Sequence, residues 1–280
     1  MQNKDRYSKH MFSFLALIIV PACGAQPEMI SQVNFSDKNL KDCILKQNLT
    51  RVSEIEKIDC QWEHVKSVDE IKYFKNLKIL DLEGNRELKK VDVSQNLKLE
   101  FLDLSENNYI SKIDLSSNLK LRDLDVSYLE ISTLDISKNV DLEKLVVQGA
   151  KFSELKISKL VKIKHLHILN YAKEPKYDLS FVNTPNLEHL NITNLPLKKL
   201  DVSKALDLKF ISVSDTEIPS LDLSKNMKLE KISTDELIEN LDLTDMSNLT
   251  DFSYYGANNL SDLDLSKNKE LKKYRLTIIY

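Results

Sequence analysis

One apolar phrase returns along the whole chain and constrains the fold more than any other feature. Leu77-x-x-Leu80-x-Leu82-x-x-Asn85 is followed by Leu99-x-x-Leu102-x-Leu104-x-x-Asn107 and by Leu121-x-x-Leu124-x-Val126, and the series runs to Leu271-x-x-Tyr274-x-Leu276. Its fourth position is filled by Leu80, Leu102, Leu124, Leu145, Leu166, Leu190, Ile211, Ile232, Phe252 and Tyr274, in steps of 20 to 24 residues. Self-similarity at such a period predicts coils stacked into a solenoid.

A second phrase lies half a period away, as in Val91-Asp92-Val93-Ser94, Leu134-Asp135-Ile136-Ser137 and Leu263-Asp264-Leu265-Ser266. Each coil therefore has two apolar sides, which it can bury only between neighbours, so stability comes from a core shared along the stack. The Asp of this phrase recurs as Asp92, Asp114, Asp135, Asp201, Asp222, Asp242 and Asp264. Asp and Ser side chains satisfy turning backbone amides, and every coil has the same turn to make, so this ladder reads as structural rather than catalytic.

The chain has 280 residues, 42% of them hydrophobic, with four glycines and six prolines, which is the composition of a folded domain. The net charge of -3, with both signs intermixed, lacks the basic stripe of a nucleic-acid binder. The amino terminus carries Lys4, Arg6 and Lys9, then ten apolar residues from Met11 to Val20. Ten residues are too few to span a bilayer but suit a secretory signal, so residues 1–22 are expected to direct export. Val20-Pro21-Ala22-Cys23 resembles the lipobox of bacterial lipoproteins, with Pro21 departing from the usual residue. That resemblance implies cleavage before Cys23, a lipid on its thiol and, with Gly24 rather than Asp next, passage to the outer membrane.

Residues 23–33 read as a tether and 34–76 as a cap with a first irregular coil, followed by the solenoid over 77–280. The cap helix is expected between Asn34 and Asn48, with Ser36 or Asp37 at its start. Cys43 faces inward on that helix, and Cys60 takes the inward place that Leu82 takes one coil later. Export makes them candidates for a disulfide, the alternative being two buried thiols. The chain closes on Thr277-Ile278-Ile279-Tyr280 as a strand whose edge could pair with another, although a monomer is expected. The 24-residue step, holding Tyr171 to Tyr177, is expected to be a loop.

Strand alternation sends the fourth and sixth positions inward and the third and fifth to the open face. That face is graded. Asp81, Asp103, Asp123 and Asp125, with Glu83 and Glu106, make an acidic end that suits a basic partner better than calcium. His165, His167 and His189 fall together in the middle, and a polar surface outweighs a metal site or a metal-dependent enzyme there. Lys273 and Arg275 close the far end. Phe101, Phe210, Tyr128, Tyr254 and Tyr255 offer aromatic groups at or near the face, with Phe101 and Phe210 as interface anchors. No phosphate-cradling loop, His-Glu-x-x-His or Gly-x-Ser-x-Gly is present, and no cofactor or metal is expected.

The alternation of L-x-x-L-x-L-x-x-N with L-D-L-S-x-N over residues 55–280 resembles the bacterial leucine-rich-repeat proteins of exported and surface type, and more distantly the internalins. The fold class so implied is α/β, a leucine-rich-repeat solenoid with a curved parallel β-sheet on its concave face, short irregular convex segments and an N-terminal helical cap. The asparagine position is replaced at Leu129, Ala150 and Thr216, where irregularity is expected. What the resemblance implies for function is recognition of a protein or glycan through the concave face. The second expectation is a structural or assembly protein of the cell envelope facing the periplasm.

Overall fold

Each apolar phrase forms one short strand, because its inward residues alternate with residues that must face water. The computed structural model describes residues 26–150, 154–156, 160–170, 176–178, 184–235, 238, 241–256 and 263–277. Residues 1–22, expected to direct export, and Cys23 lie outside the described residues. After helix α1 (Lys38–Leu45) the strands are β1 (Lys57–Asp59), β2 (Ile79–Asp81), β3 (Phe101–Asp103), β4 (Asp123–Asp125), β5 (Thr133–Leu134), β6 (Lys144–Ala150) and β7 (Glu154–Lys156). They continue as β8 (His165–Asn170), β9 (Lys176–Asp178), β10 (His189–Leu195), β11 (Phe210–Thr216), β12 (Lys231–Asp235), β13 (Asp251–Tyr255) and β14 (Lys273–Thr277). Eleven strands form one sheet in the order β1-β2-β3-β4-β6-β8-β10-β11-β12-β13-β14, and β5-β7-β9 form a second. At about 4.8 Å per strand the large sheet extends roughly 50 Å.

All pairings in both sheets are parallel, and the register joins Ile58 to Leu80, Leu80 to Leu102, Leu166 to Leu190 and Phe252 to Tyr274. The 24-residue step therefore does not disturb the large sheet. Residues 171–175 of that step lie outside the described residues, while Tyr177 belongs to β9 and pairs with Leu155 rather than lying in a loop. At two of the three lost asparagine positions the strand runs on, β6 reaching Ala150 and β11 reaching Thr216, whereas β4, with Leu129 at that position, stops after three residues as β2 and β3 do. The turn ahead of Asn85 and Asn107 is held by their own side chains. Asn85 donates to the carbonyls of Leu82 (2.8 Å) and Cys60 (2.9 Å), and Asn107 to those of Leu104 (2.7 Å) and Leu82 (2.9 Å).

A second asparagine ladder follows the Leu-Asp-Leu-Ser phrase. Asn118 donates to the carbonyls of Val93 and Asn96, both at 3.0 Å, and Asn139 repeats this on Leu115 and Asn118, as Asn226 does on Val202 and Ala205. These side chains are fully buried, and each ties its coil to the one before. The Asp ladder is local by contrast: Asp92, Asp114, Asp201 and Asp264 each accept from the amide of the Ser two residues on, at 2.8–3.0 Å.

Two further regularities escape a reading of the apolar phrase. Four residues after the inward position the backbone turns left-handed, at Trp62, Gly84, Glu106, Tyr128, Gly149, Asn194 and Asp215. The Trp62 ring lies over Gly84 and the Tyr128 ring over Gly149, so closely that a Cβ on either glycine would fall 2.3–2.4 Å from the ring. The left-handed φ favours glycine there without demanding it, since Trp62, Glu106, Tyr128, Asn194 and Asp215 adopt it too; the ring contact is what excludes a Cβ. Along one rim, charges alternate from coil to coil as Glu56, Lys78, Glu100, Arg122, Glu143, Lys164, Glu188, Lys209 and Glu230. Lys78 bridges Glu56 at 2.8 Å, Lys164 bridges Glu143 at 2.7 Å and Lys209 bridges Glu188 at 2.6 Å. Exposed pairs of this kind each contribute little, but any register that skipped a coil would set like charges side by side.

The cap begins earlier than a tether over 23–33 would allow. Met29 bridges Arg51, the amide of Ile30 donates to Thr50 and that of Val52 to Glu28, and Ile30 and Val33 are buried. Residues 28–33 are thereby packed against the first coil. Helix α1 is shorter than the expected 34–48, since its N-cap is Asp37. Asp37 accepts from the amides of Asn39 (2.8 Å) and Leu40 (3.0 Å) and also from those of Lys66 (2.7 Å) and Ser67 (3.2 Å), so one carboxylate fastens cap to solenoid. Burial opposes its ionisation, but the four amides outweigh burial and hold its pKa below the usual carboxylate value. Cys43 and Cys60 are joined by a disulfide with Cα atoms 5.9 Å apart, a second fastening of the same two parts.

Three outcomes follow from these fastenings. Reduction of the Cys43–Cys60 bond is expected to lower stability by about 3 kcal/mol in urea unfolding. Asp37→Ala is expected to cost about 2 kcal/mol at pH 7 through the lost cap and amide bonds. Because the folded pKa of Asp37 is depressed, its contribution is present above the unfolded value of 3.8 and is lost as pH falls through the folded one, so the difference between the two proteins should shrink as pH falls below 3.8. Asn118→Ala removes two buried hydrogen bonds to carbonyls that then keep only their backbone donors, the amides of Asn96 and Leu99, and should cost about 1–2 kcal/mol; a loss under about 0.5 kcal/mol would deny the ladder its role.

Candidate functional site

The open face of the large sheet is built from third and fifth positions, and the register sets equivalent positions side by side. Asp59, Asp81, Asp103 and Asp125 form one row on β1 to β4. Asp59 belongs to this row although the regular phrase begins only at Leu77; its place follows from pairing Ile58 with Leu80. Asp81, Glu83 and Asp103 bring carboxylate oxygens within 4.8 Å of one another. Gln61 donates to Asp81 at 2.6 Å, and the amides of Ser105 and Ser127 donate to Asp103 and Asp125 at 2.8 and 2.9 Å. These bonds orient the carboxylates along the row.

Burial, with some crowding of like charges, raises the pKa of these carboxyl groups. Burial, opposed by the Gln61 and amide bonds and reinforced by Asp103, raises the pKa of Asp81. Burial raises that of Asp123 despite Lys144, whose ammonium lies 3.6 Å away. Burial carries Asp125 up to about 6, against the bonds from Ser127.

Beyond the acidic row the face sinks into a hollow of ≈ 380 Å³. Leu145 and Leu166 form its floor, and its walls are Lys144 and Val146 on β6, His165 and His167 on β8, His189 and Asn191 on β10, and Phe210 on β11. The His165 and His189 rings stack with centroids 4.6 Å apart, and His189 meets Phe210 at 5.9 Å. His167 contacts Gln148, its Nδ1 lying 3.2 Å from the amide nitrogen. Burial lowers the pKa of both His165 and His167, the nearby His189 adding to the effect on His165. The three imidazoles do not form a compact triad, since one His pairs with a glutamine while two stack.

Of the residues singled out in the sequence, His165, His167, His189 and Phe210 come together in the hollow, with Asp123 at its edge. Asp81, Asp103 and Asp125 lie in the acidic row, and Phe101 is half-buried beside Asp123. Tyr254 is not on the open face: it is 2% exposed, because it holds the sixth, inward position after Phe252. Tyr128 lies at the rim over Gly149. Lys144, Val146 and Asn191 were not singled out, although their place in the third and fifth positions of the aligned phrase marks them as neighbours of the histidines.

The fold and this open face define a leucine-rich-repeat solenoid. The structure is similar to the functional domain of InlJ from Listeria monocytogenes, with a TM-score of 0.67 and 17% identity over 90% of this chain and 61% of that one. It is also similar to the leucine-rich repeat domain of APL1B, with a TM-score of 0.53 and 14% identity over 75% of this chain and 65% of that one. The chain thus spans about 61% of the length of the InlJ domain. At these identities the likeness is one of fold. No family model and no curated protein matches the sequence.

The acidic row makes a signed prediction. With the pKa of Asp125 raised to about 6 in the folded state, the folded protein binds more protons than the unfolded chain between about pH 4 and 6. Stability should therefore fall as pH rises through that window. Asp125→Asn keeps the acceptor for Ser127 and should raise the melting temperature at pH 7.5 but not at pH 4; an equal change at both would refute the assignment.

Proposed function

We propose that this protein is an exported, non-catalytic binding module, held to the outer membrane by a lipid on Cys23, that recognises a protein partner through its concave face. The observation carrying the reading is the open face itself, a row of partly desolvated aspartates running into a hollow walled by imidazole and phenyl rings. Charge at the margin and aromatic anchors at the centre are what protein interfaces use for steering and for affinity. Export and anchoring are supported by the apolar segment Met11–Val20 and by the run ending at Cys23.

The test is site-specific photo-crosslinking in intact cells. A crosslinking residue at Asp103 or Ser212 on the concave side is expected to yield discrete adducts, while one at Asp114 or Ser224 on the opposite side yields none. Adducts of equal strength from both sides would remove the concave face from the reading. Protease added to the same cells should digest the chain, with release of Cys23→Ser into the soluble fraction. Protection together with retention in the outer membrane would move the protein to the periplasmic side, as an assembly component of the envelope.

A further inference from the structure

We infer that the hollow on β6, β8, β10 and β11 seats an aromatic side chain flanked by carboxylates, presented by the partner protein. The inference rests on the concave-face reading above and names the chemistry of that partner.

The shape of the site argues for one ring. His165, His189 and Phe210 lie on three successive strands of the sheet and form a continuous series of rings at 4.6 and 5.9 Å. A further ring would extend that stack over the apolar floor of Leu145 and Leu166, in the offset or tilted arrangements that aromatic pairs favour. A volume of ≈ 380 Å³ is near the lower end for ligand sites and suits one large side chain.

The charge argues for acidic flanks. The lining contains Lys144 and three histidines but no carboxylate. On β4, Asp123 is engaged by Lys144, and Asp125 is next to Val146 in register. Among the rim acids, Glu143 is bridged by Lys164 and Glu188 by Lys209, so their charge is compensated before a partner arrives. On the far side β11 contributes Ser212 and β12 contributes Lys231, in register with Phe210. A carboxylate beside the bound ring therefore meets Lys231 and imidazole N–H donors, and shares Lys144 with Asp123. On acidification Asp125, in register with Val146 and raised by burial to about 6, loses its charge, and His165 and His167, whose pKa burial lowers, gain theirs at lower pH; both changes favour that contact.

The experiment measures calorimetric binding of three blocked tripeptides, acetyl-Asp-Phe-Glu-amide, acetyl-Asp-Ala-Glu-amide and acetyl-Lys-Phe-Lys-amide, to the full chain at pH 7.5 and 5.5. Only the first is expected to bind, about fivefold more tightly at the lower pH, and Phe210→Ala or His189→Ala should weaken it about tenfold. Lys144→Glu, in the wall of the hollow, should invert the preference toward the lysine peptide. Equal or tighter binding of the lysine peptide to the parent chain would overturn the inference, as would affinity indifferent to Phe210→Ala and Lys144→Glu. Absence of peptide binding overturns it too: with concave-face adducts intact in cells only the hollow is lost, and without them the recognition reading falls as well.

Discussion

The structure depends on the hydrogen bonding of each coil to the one before it. Parallel strands three residues long cannot hold a register alone, and here they are helped by asparagine amides that reach back to buried carbonyls of the preceding coil, Asn118 to Val93 and Asn139 to Leu115. Each such bond adds a second donor to a carbonyl that already accepts from its own turn, Val93 from the amide of Asn96 and Leu115 from that of Asn118, and so ties that turn to the next coil. The apolar residues could tolerate a small slip; the amides could not. What a coil displays on its open side is therefore fixed by what it buries on its closed side.

The rim charges act in the same direction by a weaker force. Each sits between two of opposite sign, so correct stacking is mildly favourable and a skipped coil is repelled. The fastening of the cap combines both kinds of interaction, since Asp37 bonds four amides from two parts of the chain while Cys43 and Cys60 join the same parts covalently. A solenoid frays from its ends, and the most closely fastened place here is the end where core would otherwise be open to water.

Much of this was legible in the sequence because the repeat carries both period and phase. Aligning Leu80 with Tyr274 through ten coils placed His165 beside His189 before any coordinates, and the structure pairs those residues. The phase was misapplied once, at Tyr254, whose bulk suggested the surface although its position points to the core. Other features have no signal in the apolar phrase. The early start of the cap rests on backbone bridges such as that of Met29 with Arg51, which polar residues do not announce. Asp59 follows from aligning Cys60 with Leu82, but the regular phrase begins only at Leu77 and leaves its coil out of the row. Strand lengthening at Ala150 and Thr216 was visible only as irregularity, since losing Asn removes a turn without saying what replaces it. The hollow is a matter of depth, and a linear pattern gives positions on a face but not its relief.

The central claim is that stacking register sets Lys144, His165, His189 and Phe210 side by side on the open face. It is tested most directly by oxidative crosslinking of His165→Cys paired with His189→Cys, positions in register on adjacent strands, against His165→Cys paired with Leu190→Cys, displaced by one residue. The account predicts a disulfide in the first pair and none in the second, with the melting temperature kept in the first reduced protein and lowered in the second, where Leu190 leaves the core. A bond in the displaced pair alone would mean that the chain after residue 170 enters the sheet one residue out of step, with His189 turned into the core and no hollow on the face.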